Sequence, residues 1–374
     1  MDIKILTACF YPQIHPRAFR ATELAKEFAA TGHNVTVVNM GTYEGFDYES
    51  YEKQLNIRII NLDIYRVESS VTSQDNVSSV ISKFKNFVKY YLLCGDLFRR
   101  GVAISKKLSC LKGSDLVIAL STPFDCHYGF AKYIKKNGKD FIAVADSGDP
   151  FYYSKQTKRA IWFKYIEKDV YKQVDFLTIP TENAIPLYSP LIQKDKIKII
   201  PQGFNMKDLN LYSGDFSGPI KIGYAGVFYW DIRNPEFLFK YLDKIDKDYE
   251  LYLYMRYHDS KFDEVIEKYP NLHKRTKIQY NVKHDSLLYE LSRMSFLINV
   301  ENLSNTQMPS KLIDYGMTGR PIFSSNEINF NKDKFDVFLN GDYSEQYHVD
   351  LNKYNIETVA KQFIELSNSQ KSKV

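Results

Sequence analysis

Glycine is missing where several nucleotide-binding families need it. The loop after the first apolar run, Tyr11-Pro-Gln-Ile-His-Pro-Arg17, holds none. A G-x-G-x-x-G fingerprint is therefore absent from the place where it would let a backbone approach a pyrophosphate, which argues against a dehydrogenase. The chain also lacks a G-x-x-x-x-G-K-[ST] run, which removes the P-loop ATPases and kinases. Cysteine is scarce: Cys9, Cys94, Cys110 and Cys126 stand far apart with no C-x-x-C pair. With no basic-then-apolar leader pattern at the N-terminus, the chain reads as a protein of a reducing cytoplasm. Apolar runs are short, Asp115–Leu120 and Phe296–Val300 being strand-length, far below the ~20 residues of a membrane span. The obvious Asp-x-Asp, Asp246-Lys-Asp248, lies at a helix exit ahead of a strand and reads as a solvated turn, so no metal site is expected.

What is present is an ordinary globular composition, 44% hydrophobic and 25% charged, in a chain of 374 residues. That length is large for one core and points to two domains. The net charge of +5 is unevenly spread, because residues 82–112 hold eight basic side chains against one acid, Asp96. Phe84, Phe87, Tyr90, Tyr91, Leu92, Leu93, Leu97 and Phe98 interleave with these cations. Two readings of the segment stay open. It is a helix lying on an anionic membrane surface, or a domain helix whose apolar face is core and whose lysines are solvated. No nucleic-acid motif accompanies the charge, so nucleic acid is not expected as a partner.

Periodicity organises the rest. Residues 3–10 read as a buried strand, 18–30 as an amphipathic helix stopped at Gly32, and 35–39 as the next strand. Strands follow near 57–62, 116–121, 141–145 and 176–179, the last three separated by helical patterns around 125–136 and 157–173. The polar loop 204–219 is the expected linker. Beyond it the pattern restarts: strands at 220–225, 250–255, 276–280, 296–300 and 321–324 alternate with helices at 235–246, 258–268, 284–292 and 310–318. Alternating strands and helices imply α/β domains with parallel, covered sheets. The expected boundaries are 1–205 and 206–352, with 353–374 as a C-terminal helix returning to the first domain.

In such sheets ligands sit beyond the carboxyl ends of the strands. His127 lies just past the strand 116–121, near a helix start; a lone His there is a structural residue or a ligand-side group. Asp146-Ser-Gly-Asp149 follows the strand 141–145 and is an Asp-rich turn or a pair of working carboxylates. Tyr224-Ala-Gly-Val-Phe-Tyr-Trp-Asp-Ile-Arg233 joins the first strand and first helix of the second half. There Gly226 permits close backbone approach, and Arg233 is a phosphate ligand or a surface arginine. Met308-Pro-Ser-Lys-Leu-Ile-Asp314 follows another strand-end loop, Glu301–Gln307. Free N–H groups at Ser310 and Lys311 with the lysine ammonium form an anion site, and Asp314, at i+4 from Ser310, can accept from a vicinal diol such as a ribose. Packing alone, with Leu312, Ile313 and Met317 as a buried stripe, is the other account of this helix.

The ordered set Y-P-x-x-x-x-R at 11–17, "YAG" at 224–226 with "RNP" at 233–235, and "PSKLIDYGMTGRPI" at 309–322 resembles the retaining nucleotide-sugar glycosyltransferases of the GT-B fold, the family-4-like group common in bacterial surface polysaccharide synthesis. The resemblance runs in order over nearly the whole chain and is specific in its last segment. It implies two Rossmann-like domains facing an interdomain cleft and transfer from a nucleotide diphosphate sugar to a glycan acceptor, often lipid-linked, with no metal and no cofactor. It also implies that Arg233 and Lys311 hold the donor pyrophosphate, that Asp314 binds the ribose, and that His127 contacts the donor sugar and the reacting centre, so that His127, Arg233 and Lys311 are the catalytic residues. Gly226, Thr306, Gln307, Met308, Pro309 and Ser310 complete the donor side, with Arg17, Asp146 and Asp149 on the acceptor side. The location implied is the cytoplasm, with a peripheral position on the inner membrane face as the second reading. The sequence departs from the family in two places. Thr306 stands where the first of its paired glutamates falls, Glu301 being too early, and Gln13-Ile-His-Pro16 replaces its Gly-Gly. A catalytically inactive nucleotide-sugar-binding protein and a sugar-nucleotide epimerase on the same fold are the rival readings.

Overall fold

The structure, a computed structural model, describes residues 1–13, 15–67, 87–154, 157–207, 209–302 and 311–371. The chain divides into two compact units, Met1–Asn205 with Lys353–Val374, and Met206–Asn352. The first unit is built on seven parallel strands: β1 Asp2–Thr7, β2 Asn34–Tyr43, β3 Arg58–Val67, β4 Leu116–Ser121, β5 Ile142–Ser147, β6 Phe176–Ile179 and β7 Ile197–Ile199. They lie in the order β3-β2-β1-β4-β5-β6-β7. Both faces are covered, which is why the strands read as continuous apolar runs. Ile3, Ile5, Leu116 and Ile118 pack under the helix Pro16–Ala30, together with Ile356, Val359, Ala360 and Phe363 of the last helix, Ile356–Lys371. Leu6, Val117 and Ala119 face the other way, onto the helices Leu97–Lys106, Asp125–Asn137 and Trp162–Lys172.

Leu97–Lys106 and Asp125–Asn137 meet almost backbone to backbone. A Cβ on Gly129 would fall 2.6 Å from Cγ2 of Ile104, and one on Gly101 2.3 Å from the Tyr128 ring. That contact buries Leu97, Ile104, Leu108 and Leu111, so over the described residues 97–112 the basic segment is a domain helix with solvated lysines. Nor is 82–112 one continuous helix. Phe87–Leu92 forms a π-helical turn that ends where Cys94 and Gly95 take positive φ, 51° and 65°, and residues 82–86 lie outside the described residues.

The second unit holds β8 Ile220–Ala225, β9 Tyr249–Met255, β10 Thr276–Tyr280, β11 Phe296–Val300 and β12 Ile322–Ser325, in the parallel order β10-β9-β8-β11-β12. Counted from its own first strand, each sheet contains the order 3-2-1-4-5. The order therefore reverses between β1 and β4 in one unit and between β8 and β11 in the other, and these are the switch points at which ligands are expected.

Several elements differ from the periodicity reading. β2 and β3 run on to Tyr43 and Val67 because their pairing resumes after a register shift between Asn39 and Gly41. The helix expected from 157 starts at Trp162, and those expected at 235–246 and 258–268 shorten to Glu236–Leu242 and Ser260–Ile266. Tyr48–Leu55 is an unexpected helix, held by local chemistry: Asp47 caps it by accepting from the Ser50 amide, and Asn56 ends it at φ 53°. It buries Tyr51 alone, so it carries no apolar stripe to notice. Among the described residues no helix is long and apolar enough to cross a membrane.

Candidate functional site

At the switch point of the second unit the loops after β8 and β11 are tied together. β8 ends at Ala225, and Gly226 follows at φ +133°, a backbone angle that L side chains rarely adopt. Arg233, at the far end of this loop, donates from Nε to Oδ1 of Asn302, 2.9 Å away and two residues beyond β11. Its guanidinium lies 5.5 Å from the centre of the Tyr229 ring.

Lys311 opens the helix Lys311–Met317 and buries its side chain beneath this loop. Nζ sits 4.4 Å from the centre of the Tyr224 ring and 6.0 Å from that of Tyr315, contacts that favour a cation. Tyr315 locks the helix to the end of β8, its hydroxyl accepting from the Ala225 amide at 2.8 Å and donating to the Ala225 carbonyl at 3.3 Å. Among the described residues Nζ of Lys311 has no hydrogen-bond partner, and no carboxylate pairs with it or with Arg233. Burial first, and then the charge of Arg233, push the Lys311 ammonium well below the ordinary lysine value. A buried, unpartnered cation next to a second cation is a site that a multiply charged anion would relieve.

Asp314, in the first turn of the same helix, is not an open carboxylate. Its Oδ1 lies 3.0 Å from Nε2 of His284, the first residue of the helix His284–Ser292. Glu301 is also engaged, accepting from Ser324 Oγ at 2.7 Å and from the Asn326 and Asn329 amides at 3.2 and 3.1 Å. It thus ties β11 to the end of β12. Thr306, Gln307, Met308, Pro309 and Ser310 lie outside the described residues.

In the first unit the structure gathers Arg17 and Asp146 and adds Arg20 between them. Asp146 belongs to β5 itself rather than to a turn, since that strand runs on to Ser147. Its Oδ1 and Oδ2 accept from Nη2 and Nε of Arg20, both at 2.7 Å. Oδ1 also accepts from Thr178 Oγ1 at 2.7 Å and Oδ2 from Arg17 Nη1 at 3.3 Å. Arg20 further donates to the carbonyls of Pro201 and Ile200. Burial pushes the Asp146 carboxyl up, but Arg20 and Arg17 outweigh it and hold the group below the usual carboxylate range. Gly148 makes room for Arg17: a Cβ there would fall 1.4 Å from Nη2. Asp149, next along, is exposed.

His127 is fully buried in the first turn of Asp125–Asn137. Its Nε2 lies 2.8 Å from the Ala119 carbonyl; a carbonyl only accepts, so the proton is on Nε2. Nδ1 is buried with no partner among the described residues. Burial is the main cause that pushes this imidazole down to about 4, so it is neutral near pH 7.

Of the residues singled out in the sequence, the structure thus joins Gly226, Arg233 and Lys311 in one unit, and Arg17 with Asp146 in the other. Tyr224, Tyr315, Asn302, His284 and Arg20 escaped the sequence reading. Tyr224 and Tyr315 stood inside quoted motifs without being assigned a role, and Arg20 left its signal as a cation on the otherwise apolar stripe Ala21, Leu24, Ala25 and Phe28.

The sequence matches no protein-family model and no curated protein, whereas solved structures match over the whole chain. Sucrose-phosphate synthase from Thermosynechococcus elongatus aligns with a TM-score of 0.62 at 13% identity, covering 100% of this chain and 99% of that one. The lipopolysaccharide outer core galactosyltransferase WaaB aligns at 0.58 and 13%, covering 99% and 100%. A putative UDP-N-acetylglucosamine 2-epimerase from Listeria monocytogenes aligns at 0.56 and 11%, covering 100% and 97%. At such identities the likeness speaks for the fold alone, and it agrees with the strand orders of both sheets: the chain is a two-unit Rossmann-like α/β protein of the GT-B fold.

Proposed function

We propose that the protein is a glycosyltransferase that moves a sugar from a nucleotide diphosphate sugar to a glycan acceptor. The observation that carries this reading is the unpartnered, buried ammonium of Lys311 beside Arg233 at a sheet switch point. In the reaction the bond between the anomeric carbon and the β-phosphate oxygen breaks, and negative charge grows on the departing diphosphate. Two fixed cations aimed at that charge stabilise the transition state more than the ground state, and need no metal ion to do so. The acceptor hydroxyl attacks from the face the diphosphate leaves and passes its proton to the departing phosphate oxygen, so the anomeric configuration is retained without a protein nucleophile. Asp314, shared with His284, takes the ribose diol. Arg17 and Asp149 serve the acceptor side, with Asp146 holding Arg17 in place. The resemblance in sequence supports a lipid-linked acceptor and a role in bacterial surface polysaccharide synthesis at the cytoplasmic face of the membrane.

A thermal-shift panel of UDP, GDP, CMP and their sugar conjugates, with and without magnesium, tests the reading on the wild type and on Lys311→Ala. A ligand that binds only the folded state raises the melting temperature by mass action. Selective stabilisation by one diphosphate, independent of magnesium and lost in the variant, is the expected outcome. No shift from any nucleotide would overturn the proposal. The likeness to a putative 2-epimerase favours one second reading, epimerisation. Release of nucleoside diphosphate together with a sugar inverted at C2, with no acceptor required, would replace transfer by that reaction. Binding with neither product would leave an inactive nucleotide-sugar-binding protein.

A further inference from the structure

Two surface segments of the first unit lie side by side, the turn around Tyr90 and the start of the helix Trp162–Lys172. The Ala160 amide donates to the Tyr91 carbonyl at 3.3 Å and fixes them together. Each segment sorts its apolar side chains in two directions. Tyr91, Leu92 and Phe163 go to the core, where the Phe163 ring stacks on Phe98 of the helix Leu97–Lys106 at 6.1 Å. Tyr90, Leu93, Ile161, Trp162 and Tyr165 turn outward, at 57%, 48%, 58%, 42% and 66% exposure. Trp162 and Tyr165, three residues apart, share one face of their helix. Isolated exposed apolar residues are ordinary, but five large ones on two adjoining segments form a patch of the kind that marks an interaction surface.

Among the described residues the unpaired charge around the patch is basic. Lys89, Lys158 and Lys168 are exposed, Lys89 lying over the Tyr90 ring at 5.4 Å, and Lys164 is half-buried, its ammonium 5.8 Å from the centre of the Tyr153 ring. The acids nearby are already taken. Asp96 pairs with Arg99 at 3.2 Å and Arg100 at 3.6 Å, and Asp169 with Lys135 at 3.0 Å. Glu167 is buried, accepting from the Tyr152 amide and the Tyr171 hydroxyl. We propose that this patch docks the protein on an anionic bilayer surface, with Trp162, Tyr165 and Tyr90 entering the headgroup boundary and the lysines meeting lipid phosphates. A second copy fits less well, because two such patches would set lysines against lysines. The docking element is thus the pair of segments 89–93 and 158–168, in place of the helix over 97–112, whose apolar side is core. This inference deepens the membrane-face part of the proposed function, but its observations lie on the surface of the first unit and not at Lys311.

The test is co-sedimentation of the purified full chain with phosphatidylcholine vesicles, with and without phosphatidylglycerol, in the absence of any nucleotide. The expected result is binding to the anionic vesicles that weakens as salt is raised. The double variant Trp162→Ala/Tyr165→Ala should lower that binding about tenfold or more, given the apolar area two such side chains would bury. Lys89→Gln/Lys158→Gln should remove the preference for the anionic lipid. Unchanged melting temperatures would show that both variants fold. Equal binding by wild type and the aromatic variant, or no preference for phosphatidylglycerol, overturns the proposal. So does a dimer in sedimentation velocity that the aromatic variant splits, since a second copy would then cover the patch. A failure here leaves the nucleotide-induced thermal shift untouched.

Discussion

The two units share a strand order and treat their buried cations in opposite ways. In the first, Arg20 meets Asp146 through two 2.7 Å hydrogen bonds, and Thr178 and Arg17 fill the remaining positions on that carboxylate. In the second, the Lys311 ammonium is also buried, faces two aromatic rings and the charge of Arg233, and meets no carboxylate among the described residues. A cation paired inside the protein is part of the scaffold. A cation denied an internal partner is destabilising until an anion arrives, and that asymmetry distinguishes holding a fold from holding a ligand.

The largest expected effect breaks the paired side. Asp146→Ala leaves the buried Arg20 uncompensated and should cost about 3–5 kcal/mol in denaturant unfolding; a loss within about 1 kcal/mol would show that the network holds little. Because the Asp146 carboxyl is held below its usual value, its contribution is complete above the unfolded-state carboxylate range and fades as pH falls through the lower, folded value.

Next comes the unpaired side. Lys311→Ala should reduce kcat/KM for transfer by about 10²–10³, the scale of losing one charge-stabilising group, with no fall in melting temperature. The sharpest contrast is Lys311→Met, which fills the site with apolar volume. It should stabilise the ligand-free protein by about 1–3 kcal/mol, the penalty of a buried unsatisfied donor, while abolishing the nucleotide-induced thermal shift. The sign follows from linkage. The folded ammonium gives up its proton more readily than the unfolded one, so the unfolded chain binds more protons and wild-type stability rises with pH below the ordinary lysine range. Unfolding measured across that range should show this slope in the wild type and lose it in the variant. A bound diphosphate favours the protonated form, so nucleotide affinity should weaken as pH is raised, in isothermal titrations of the wild type alone.

The smallest effect is local. Gly148→Ala puts a methyl group where the Arg17 guanidinium lies and should cost about 1 kcal/mol of stability, since Arg20 keeps its pair with Asp146. It should raise the KM of the acceptor and leave that of the donor unchanged.

The architecture was legible from local pattern. The runs 3–10, 116–121 and 296–300 are mostly apolar because their strands are covered on both faces, and Gly32 closes the first helix as an αL stop should. Elements with little apolar content were not legible. Tyr48–Leu55 rests on an Asp47 cap and buries one residue, and the halves of β2 and β3 beyond Asn39 depend on a register shift that no periodicity encodes. For the basic segment 82–112 the sequence left two readings open, because composition records which residues a stretch contains and not which way they point. Two glycines, Gly101 and Gly129, bring its helix down onto the core.

For the site, the residue types Arg233, Lys311 and Asp314 stood out by order and spacing, whereas their states did not. The sequence by itself determined the two α/β units, the loops that reach the strand ends, and the lack of dinucleotide and P-loop fingerprints, because those follow from contacts between near neighbours. Tertiary structure alone decided which charges are satisfied. Arg20 finds Asp146 at a separation of 126 residues, Ala225 holds Tyr315 across 90, and His127 is kept neutral by burial, its Nε2 set on a strand carbonyl. Charge state depends on desolvation and on partners distant in the chain, and both exist only once the sheets have formed.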